Sequence, residues 1–516
     1  MMCRLRRKNR HFLSKRILPV VLFMALQAAI LILGIWYVSD YAVYWHIFFT
    51  ALSLLAVVYI VNQKKNPSYK LAWVIAILVF PVFGGLLYIL YGVQGIPRRF
   101  QKELQAAADR TLPLLQQDQE VMRELYARNR DAYVQATYIL HDAGYPVYRN
   151  TSVSFLSPGE KKYERLKAEL RRAEHYIFLE YFIIEEGVMW DGILHILRDK
   201  VKKGVKVRLL YDGVGCLTTL PAYYWKTMQE QGIECREFNP FVPVLSTILN
   251  NRDHRKIAVI DGHTAFTGGI NLADEYINRV ERFGHWKDAS VVLQGEAVWS
   301  FTLMFLQMWN LGRETEEHYE RYLPQKYHPQ PFENDGFVQP YSDSPLDQVA
   351  VGENVYLNLI AKAKEYLYIQ TPYFIVDNEM MTALTLAAKS GVDVRIMTPH
   401  HPDKWYVHML TRAYYKDLIR DGVKVYEYTP GFLHSKTVVA DDVFATVGTI
   451  NFDYRSLYLH FECGTWLFGG KAVMQVKQDF LNTLSECTQI SLKDCQAIKW
   501  YKRLLSGLLR LLAPLL

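Results

Sequence analysis

An internal repeat constrains the fold of this chain more than any other feature of its sequence. Three apolar segments form the first copy and three related segments form the second, at 172–187, 202–213, 230–240 and at 363–379, 389–400, 420–430. Each segment contains an apolar run of the kind that forms a strand, with β-branched and aromatic residues, and residues at helical spacing lie between the segments. The pattern predicts a duplicated α/β unit, each copy with a largely parallel sheet covered by helices on both faces. A stretch rich in Pro, Gly and Asp at 325–345 marks the seam.

Each copy of the repeat contains the same sparse polar motif. The segments "DHRKIAVIDG" (253–262) and "LHSKTVVADD" (433–442) share the spacing H-x-K-x4-D, and Gly and Asn follow at identical offsets. The polar members are His254, Lys256, Asp261 and Asn271 in the first copy and His434, Lys436, Asp441 and Asn451 in the second. Residues two apart on a strand point to the same face, so His and Lys project together, and the Asp-Gly and Asp-Asp pairs close tight turns. One such motif is weak evidence, but two inside copies of one unit predict a shared site with two imidazoles.

The residue types in the motif favour an anionic oxygen substrate. A protonated lysine is a compact charge with three donors, and an Asn amide adds another, which suits a phosphodiester. A neutral imidazole can attack phosphorus and form a phosphohistidine. The six cysteines include no C-x-x-C pair, and no histidine cluster has zinc spacing, so neither a metal nor a cofactor is predicted.

The N-terminal region, residues 1–97, contains three apolar stretches, at 17–38, 41–61 and 71–92. Each approaches the ~20 residues that cross a bilayer core, and the first is too long and lacks the cleavage site of a signal peptide. Pro81 and the Gly84-Gly85 pair make a kinked or re-entrant form of the third an alternative, so two or three transmembrane helices are predicted. We therefore expect a multi-pass membrane protein.

The charge distribution agrees with a membrane protein and disfavours a nucleic-acid partner. The net charge of +7 equals the seven basic residues among the first 16, where no acidic residue occurs, so the remainder is neutral (7 − 7 = 0). Seven basic residues precede the first stretch, three lie at 62–70, and three follow the third stretch. With three crossings, ten basic residues (7 + 3) share the cytoplasmic side and the catalytic part faces outward, whereas a two-span arrangement reverses this orientation.

Two further segments flank the repeat. Residues 98–150 have the charged, helical spacing of a connector between the membrane region and the repeat. At the C-terminus, within 491–516, "WYKRLLSGLLRLLAPLL" mixes basic residues with leucines. This composition predicts an amphipathic interfacial helix, with a terminal helix docked on the core as the alternative.

The duplicated motif resembles the signature of the phospholipase D superfamily, and more closely that of its bacterial cardiolipin synthases. Similar blocks are "NPSYKLAWVIAILVFPVFGGLLYILYG", "HWKD", "TPYFIVD", "DYRSLYLHFE" and the terminal "LLAPLL". The resemblance implies two phospholipase D-like halves, 151–330 and 331–490, with mixed sheets flanked by helices and one pseudo-twofold active site. Many relatives have two N-terminal hydrophobic stretches, so the third is a departure that affects topology only.

The resemblance also implies a role for each residue of the site. His254 is the nucleophile, and His434 is the general acid and then the general base. Lys256, Lys436, Asn271 and Asn451 hold the phosphate. Asp288 and Glu462 each orient one histidine, whereas Asp261 and Asp441 support the turns.

The implied reaction joins two molecules of phosphatidylglycerol into cardiolipin and glycerol at the lipid bilayer, without a cofactor or a nucleic acid. A phospholipase D that hydrolyses, or a transferase for another alcohol, shares every catalytic residue and remains an alternative. A nuclease is disfavoured by the apolar spans, and a non-catalytic membrane adaptor by the presence of both complete motifs.

Overall fold

Two mixed β-sheets, one from each copy of the repeat, carry the fold. The computed structural model describes residues 42–64, 66–79, 84–85, 88, 98–241, 250–313, 317–334, 336–346 and 349–515. The strands of the first copy are β1 (Thr151–Leu156), β2 (Tyr176–Tyr181), β3 (Lys206–Asp212), β4 (Glu234–Phe238), β5 (Lys256–Ile260), β6 (Thr264–Gly268), β7 (His285–Lys287) and β8 (Ser290–Gly295). Those of the second are β9 (Phe337–Asp343), β10 (Tyr366–Gln370), β11 (Phe374–Ile375), β12 (Asp393–Pro399), β13 (Lys424–Tyr428), β14 (Gly431–Leu433), β15 (Thr437–Ala440), β16 (Phe444–Gly448), β17 (Phe452–Asp453), β18 (Glu462–Phe468) and β19 (Cys487–Gln489).

The strand orders of the two sheets reflect the duplication. Among the described residues, the first sheet has the order β1-β8-β6-β5-β2-β3-β4 and the second the order β19-β13-β12-β10-β15-β16-β18-β9. Five strands correspond across the two orders, because β6-β5-β2-β3-β4 has the same connections as β16-β15-β10-β12-β13. The six apolar segments of the repeat form β2, β3, β4, β10, β12 and β13, as predicted.

The prediction of largely parallel sheets from the repeat is wrong, whereas the mixed sheets that the resemblance implies are confirmed. Within the part of the chain that the structure describes, only β2–β3 and β3–β4 are parallel in the first sheet, and only β10–β12 and β12–β13 in the second. The strand after each motif turns back at once, at Asp261-Gly262 and at Asp441-Asp442, and all four residues have left-handed φ angles. Such short turns join antiparallel strands, since a parallel pair needs a long crossover. Helical crossovers therefore connect only some of the neighbouring strands in each sheet.

Helices lie before, between and after these strands along the chain. They are α1 (Ala42–Val61), α2 (Pro67–Val79), α3 (Arg98–Thr111), α4 (Gln119–Arg128), α5 (Arg130–Tyr138), α6 (Gly159–Arg172), α7 (Val188–Lys202), α8 (Tyr224–Glu230), α9 (Val298–Trp309), α10 (Pro324–Tyr327), α11 (Val351–Lys362), α12 (Asn378–Lys389), α13 (Trp405–Arg420), α14 (Tyr454–Tyr458), α15 (Lys471–Leu484), α16 (Leu492–Gln496) and α17 (Trp500–Leu512). The most buried is α9, which contacts β2 and β5 of the first sheet and β9 of the second. Its Phe305 stacks on Phe178 with ring centroids 4.7 Å apart. Apolar side chains on all faces of α9 explain this position, because a helix with no polar face has to be buried.

The chain divides into two compact units. One consists of Arg99–Phe238 and Asn251–Arg510 and contains both sheets. The other consists of Met1–Arg98, Asn239–Asn250 and Leu511–Leu516, and within it Trp73 and Tyr88 pack edge to face, 5.3 Å apart.

The predicted membrane spans fall in this second unit. Over the described residues, no helix combines the length and the apolar character that crossing a membrane requires. The predicted span at 17–38 lies outside the described residues, as does most of the stretch 80–92.

Candidate active site

Two short parallel pairings join the copies of the repeat, and each carries one motif histidine. Strands β7 and β14 pair in register, Leu433 opposite Lys287, and the backbone N–H of His434 donates to the carbonyl oxygen of Lys287 at 2.7 Å. On the other side, Asp253 forms a parallel bridge with Phe461. The backbone N–H of His254 donates to the carbonyl oxygen of Phe461 at 3.0 Å. Each motif is therefore held against a segment of the opposite copy.

These pairings bring each histidine to a carboxylate of the other copy. His254 Nδ1 lies 2.8 Å from Glu462 Oε1, and His434 Nδ1 lies 2.6 Å from Asp288 Oδ2. Both carboxylates are fully buried. A hydrogen bond from Nδ1–H to a carboxylate fixes the tautomer and leaves Nε2 to react. The structure thus gives both predicted acids a histidine partner, in a reciprocal arrangement.

The two carboxylates differ in their electrostatic surroundings. Burial raises the pKa of Glu462 to about 8, against the opposing effects of Lys256 and the hydroxyl of Thr449. Burial also acts on Asp288, but the charges of His434 and Lys436 and its hydrogen bonds outweigh it and lower the pKa of this carboxyl. Asp288 is therefore ionised across the neutral range, whereas Glu462 is protonated below about pH 8.

The surroundings of both imidazoles favour their neutral form. Burial, followed by the charge of the neighbouring motif lysine, lowers the pKa of His434 to about 4 and that of His254 well below its ordinary value. The electrostatic effects cross between the copies, since Lys256 acts on His434 and Lys436 acts on His254. The two motifs therefore form one electrostatic site.

The motif lysines are buried beside the histidines. Lys256 Nζ donates to the carbonyl oxygen of His254, and Lys436 Nζ donates to that of His434. Burial lowers the pKa of Lys256 to about 8 and that of Lys436 to about 7. An anion bound between them favours the protonated form of both, so the site is suited to a phosphate group.

Both polar atoms of the Asn271 side chain are hydrogen-bonded. Asn271 Oδ1 accepts a hydrogen bond from the backbone N–H of Ile183 at 3.0 Å, and Nδ2 donates to Tyr276 Oη at 2.7 Å. The Tyr276 ring in turn lies 5.6 Å from the imidazole of His434. Asn271 thus positions an aromatic wall of the site, and phosphate binding by Asn271 and Asn451 stays a prediction.

The motif aspartates lie at the far ends of strands β5 and β15, away from the histidines. Asp261 accepts hydrogen bonds of 2.7–2.8 Å from the backbone N–H groups of residues 174, 175 and 176. Asp441 accepts three equivalent bonds of 2.7–2.9 Å from residues 364, 365 and 366. Each aspartate ties a hairpin turn to the start of a neighbouring strand, which fits a supporting role.

This geometry occurs in a chain with clear relatives. Residues 166–301 and 356–484, which include both motifs and both acids, match the family described as "Cardiolipin synthase, PLD-like domain". A cardiolipin synthase of Halalkalibacterium halodurans is 34% identical over 480 residues, which is 91% of this chain and 94% of the relative. The chain belongs to the cardiolipin synthase family. This membership confirms the resemblance to phosphatidyltransferases of the phospholipase D superfamily.

Other similarities agree with this family. Residues 51–92 match the family described as "Phospholipase_D-nuclease N-terminal". An uncharacterized protein of Streptococcus mutans serotype c is 46% identical over 462 residues, covering 89% of this chain and 99% of that protein. The crystal structure of a phosphatidylserine synthase of Haemophilus influenzae superposes with a TM-score of 0.54 at 14% identity, covering 74% of this chain and 97% of that chain, and supports the fold alone.

Sequence reasoning missed His460, although it lies in the quoted block "DYRSLYLHFE". Its ring centroid is 5.5 Å from that of His254. His254, His460 and Glu462 each offer a ligand atom, and these atoms lie within 4.8 Å of one another, a spacing that a metal ion can use. The prediction that this cardiolipin synthase family member needs no metal therefore stays a prediction. The position of His460 two residues before Glu462 was the signal in the sequence.

Proposed function

We propose that the protein transfers a phosphatidyl group from one phosphatidylglycerol to the terminal hydroxyl of another, releasing glycerol and producing cardiolipin. The observation that carries this proposal is the reciprocal pairing of His254 with Glu462 and of His434 with Asp288. This arrangement supplies a nucleophile and a separate acid–base group at one phosphate. The lipid is inferred from the relatives, several of which are cardiolipin synthases.

In the proposed first half-reaction, His254 attacks phosphorus. Glu462 occupies Nδ1, so Nε2 is the attacking atom. The N–P bond forms as the P–O bond to glycerol breaks, and the leaving oxygen takes a proton from His434. Asp288, at 2.6 Å, stabilises the protonated imidazole that this step requires. Binding of the anionic substrate raises the pKa of His434 further toward neutrality.

In the second half-reaction, the same groups act in reverse. His434 takes the proton of the incoming hydroxyl, the new P–O bond forms, and the N–P bond to His254 breaks. Lys256 and Lys436 balance the charge on the equatorial oxygens in both steps, which electrostatic preorganisation requires. One phosphodiester replaces another, so the exchange needs no nucleotide. Water can replace the hydroxyl, and exclusion of water separates transfer from hydrolysis.

We further propose that the protein acts at the cell membrane, anchored by two or three transmembrane helices within residues 1–97 and with its catalytic part facing outward. The exposed apolar side chains of α1 support contact with lipid, among them Tyr44, Leu55 and Val58. Helix α17 exposes Trp500, Leu504 and Leu508 and carries Lys502 and Arg503. This composition suits the interface of an anionic bilayer.

The test uses the full-length protein in phosphatidylglycerol vesicles with a chelator. We expect cardiolipin and glycerol in a one-to-one ratio, because each transfer releases one headgroup. The His254→Ala protein is the inactive control. Phosphatidic acid as the sole product, or a strict requirement for an added divalent metal, would falsify the proposal.

A further inference from the structure

His460 occupies a position beside the nucleophile that the proposed mechanism does not use. Its ring lies 5.5 Å from that of His254, and its side chain is only 10% exposed. Its Nδ1 is 3.9 Å from Glu462 Oε1, which is too long for a hydrogen bond. The ring therefore borders the site without belonging to either histidine–carboxylate pair.

Neither ring nitrogen of His460 has a hydrogen-bond partner among the described residues. A buried polar group without a partner costs free energy, and most such groups in native proteins are paired. An imidazole in the wall of a binding site avoids that cost when a ligand supplies the partner. The position of His460 beside His254 indicates which ligand would do so.

The charges around His460 define the hydrogen bond that it can make. Burial, together with Arg455 and Lys256, lowers the pKa of His460 well below its ordinary value. A neutral imidazole offers one N–H donor and one acceptor. The anionic oxygens of a phosphodiester can only accept, so they match the N–H group.

The two copies of the repeat have different residues at this position. His460 lies two residues before Glu462, and Trp286 lies two residues before Asp288 in the other copy. The Trp286 ring is 5.2 Å from His434, at a distance similar to that between His460 and His254. One side of the site therefore presents an imidazole and the other an indole, although the four groups of the two pairs are arranged reciprocally.

We propose that His460 is a substrate-binding residue that donates a hydrogen bond to one non-bridging oxygen of the phosphodiester bound at His254. The inference rests on the proposed function, because it takes a phosphodiester as the ligand. Since His460 lies beside His254 only, its hydrogen bond goes to one of the two non-bridging oxygens, whereas the two lysines are arranged alike in the two copies. It would thereby fix the orientation of the phosphate before attack.

Phosphorothioate substrates test this contact. Phosphatidylglycerol with sulfur at one non-bridging position exists as two diastereomers, and sulfur is the weaker hydrogen-bond acceptor. In the full-length protein we expect one diastereomer to form the phosphohistidine adduct about tenfold more slowly than the oxygen substrate. In His460→Ala, we expect the oxygen substrate to slow about tenfold and this diastereomer to lose its extra penalty. His460→Asn, which keeps an N–H donor, should restore part of the discrimination.

Controls separate a binding role from a structural one. His195→Ala changes a histidine on the surface of α7 and should leave the adduct rate and the thio effect unchanged. The melting temperature of His460→Ala should not fall below that of the wild type, since no protein hydrogen bond is lost and an unpartnered buried imidazole is removed. An equal thio effect in wild type and His460→Ala overturns the inference, and so does a fall in melting temperature with the thio effect intact. A wild-type protein that forms the adduct but yields only phosphatidic acid refutes the proposed transfer and leaves the result on His460 standing.

Discussion

The two buried carboxylates should respond differently to removal of their charge. In Asp288→Asn, the protonated His434 loses a partner whose oxygen lies 2.6 Å from Nδ1. Two charges about 4 Å apart at an effective dielectric constant of about 20 attract by about 4 kcal/mol. The Asn oxygen still accepts a hydrogen bond, so we expect a net loss of about 2–3 kcal/mol, which is roughly 30- to 150-fold in rate. Asp288 is ionised throughout the neutral range, so the loss should not change between pH 6.5 and pH 9.

Glu462→Gln provides the matched comparison, because it makes the same change on the other histidine. The pKa of Glu462 is about 8, so below that pH the wild-type side chain is already neutral and Gln resembles it. We expect a loss of less than about fivefold at pH 6.5, and a loss that approaches that of Asp288→Asn at pH 9.

The assay is the initial rate of labelled glycerol release from phosphatidylglycerol vesicles at each pH. Thermal melting of each variant checks that the fold is intact. If Glu462→Gln loses as much activity as Asp288→Asn at pH 6.5, the assigned difference between the carboxylates is wrong. If the loss in Asp288→Asn changes between pH 6.5 and pH 9, Asp288 is not ionised throughout this range and its assignment is wrong.

Three further predictions concern the roles of the two histidines, a turn aspartate and the membrane region. His434→Asn should trap an acid-labile phosphatidyl group on His254, and the His254→Ala protein should carry no such group. If peptide mapping finds the label on His434 of a His254→Asn protein, and never on His254, the roles of the two histidines are reversed. Asp261→Ala should lower the free energy of unfolding by about 3 kcal/mol in urea titration, because it removes the acceptor of three backbone N–H groups at a residue with φ of 47°; an unchanged stability would show that these bonds contribute nothing. Removal of residues 1–97 should abolish resistance to alkaline carbonate washing but leave weak vesicle binding through α17; full retention after washing would contradict both membrane assignments.

Local sequence patterns predicted the elements of the fold better than their pairing. The apolar segments form strands because a short buried run with β-branched and aromatic residues has few other stable conformations. The prediction of parallel sheets took account of the alternation of helix and strand only. The turns at Asp261 and Asp441 join antiparallel strands, so each sheet is mixed.

The duplicated motif predicted a shared site with two imidazoles, whereas the carboxylates that orient them were predicted only through the resemblance. Glu462 lies 208 residues from His254, and Asp288 lies 146 residues from His434, so no spacing along the chain indicates which acid meets which histidine. His460 was missed because its distinguishing property is the lack of a partner in three dimensions. The sequence alone does not show whether a side chain has a hydrogen-bond partner in the folded protein.

The reciprocal pairing of each histidine with an acid of the other copy is the contact pattern of a twofold-symmetric dimer of identical chains. In such a dimer a substitution changes both sides of the site together, so the neighbours of both histidines must remain the same. Covalent fusion removes that restriction. A fused chain can have His460 on one side and Trp286 on the other, and it can hold one acid ionised and the other neutral. Duplication thus allowed the surroundings of the two histidines to diverge by mutation.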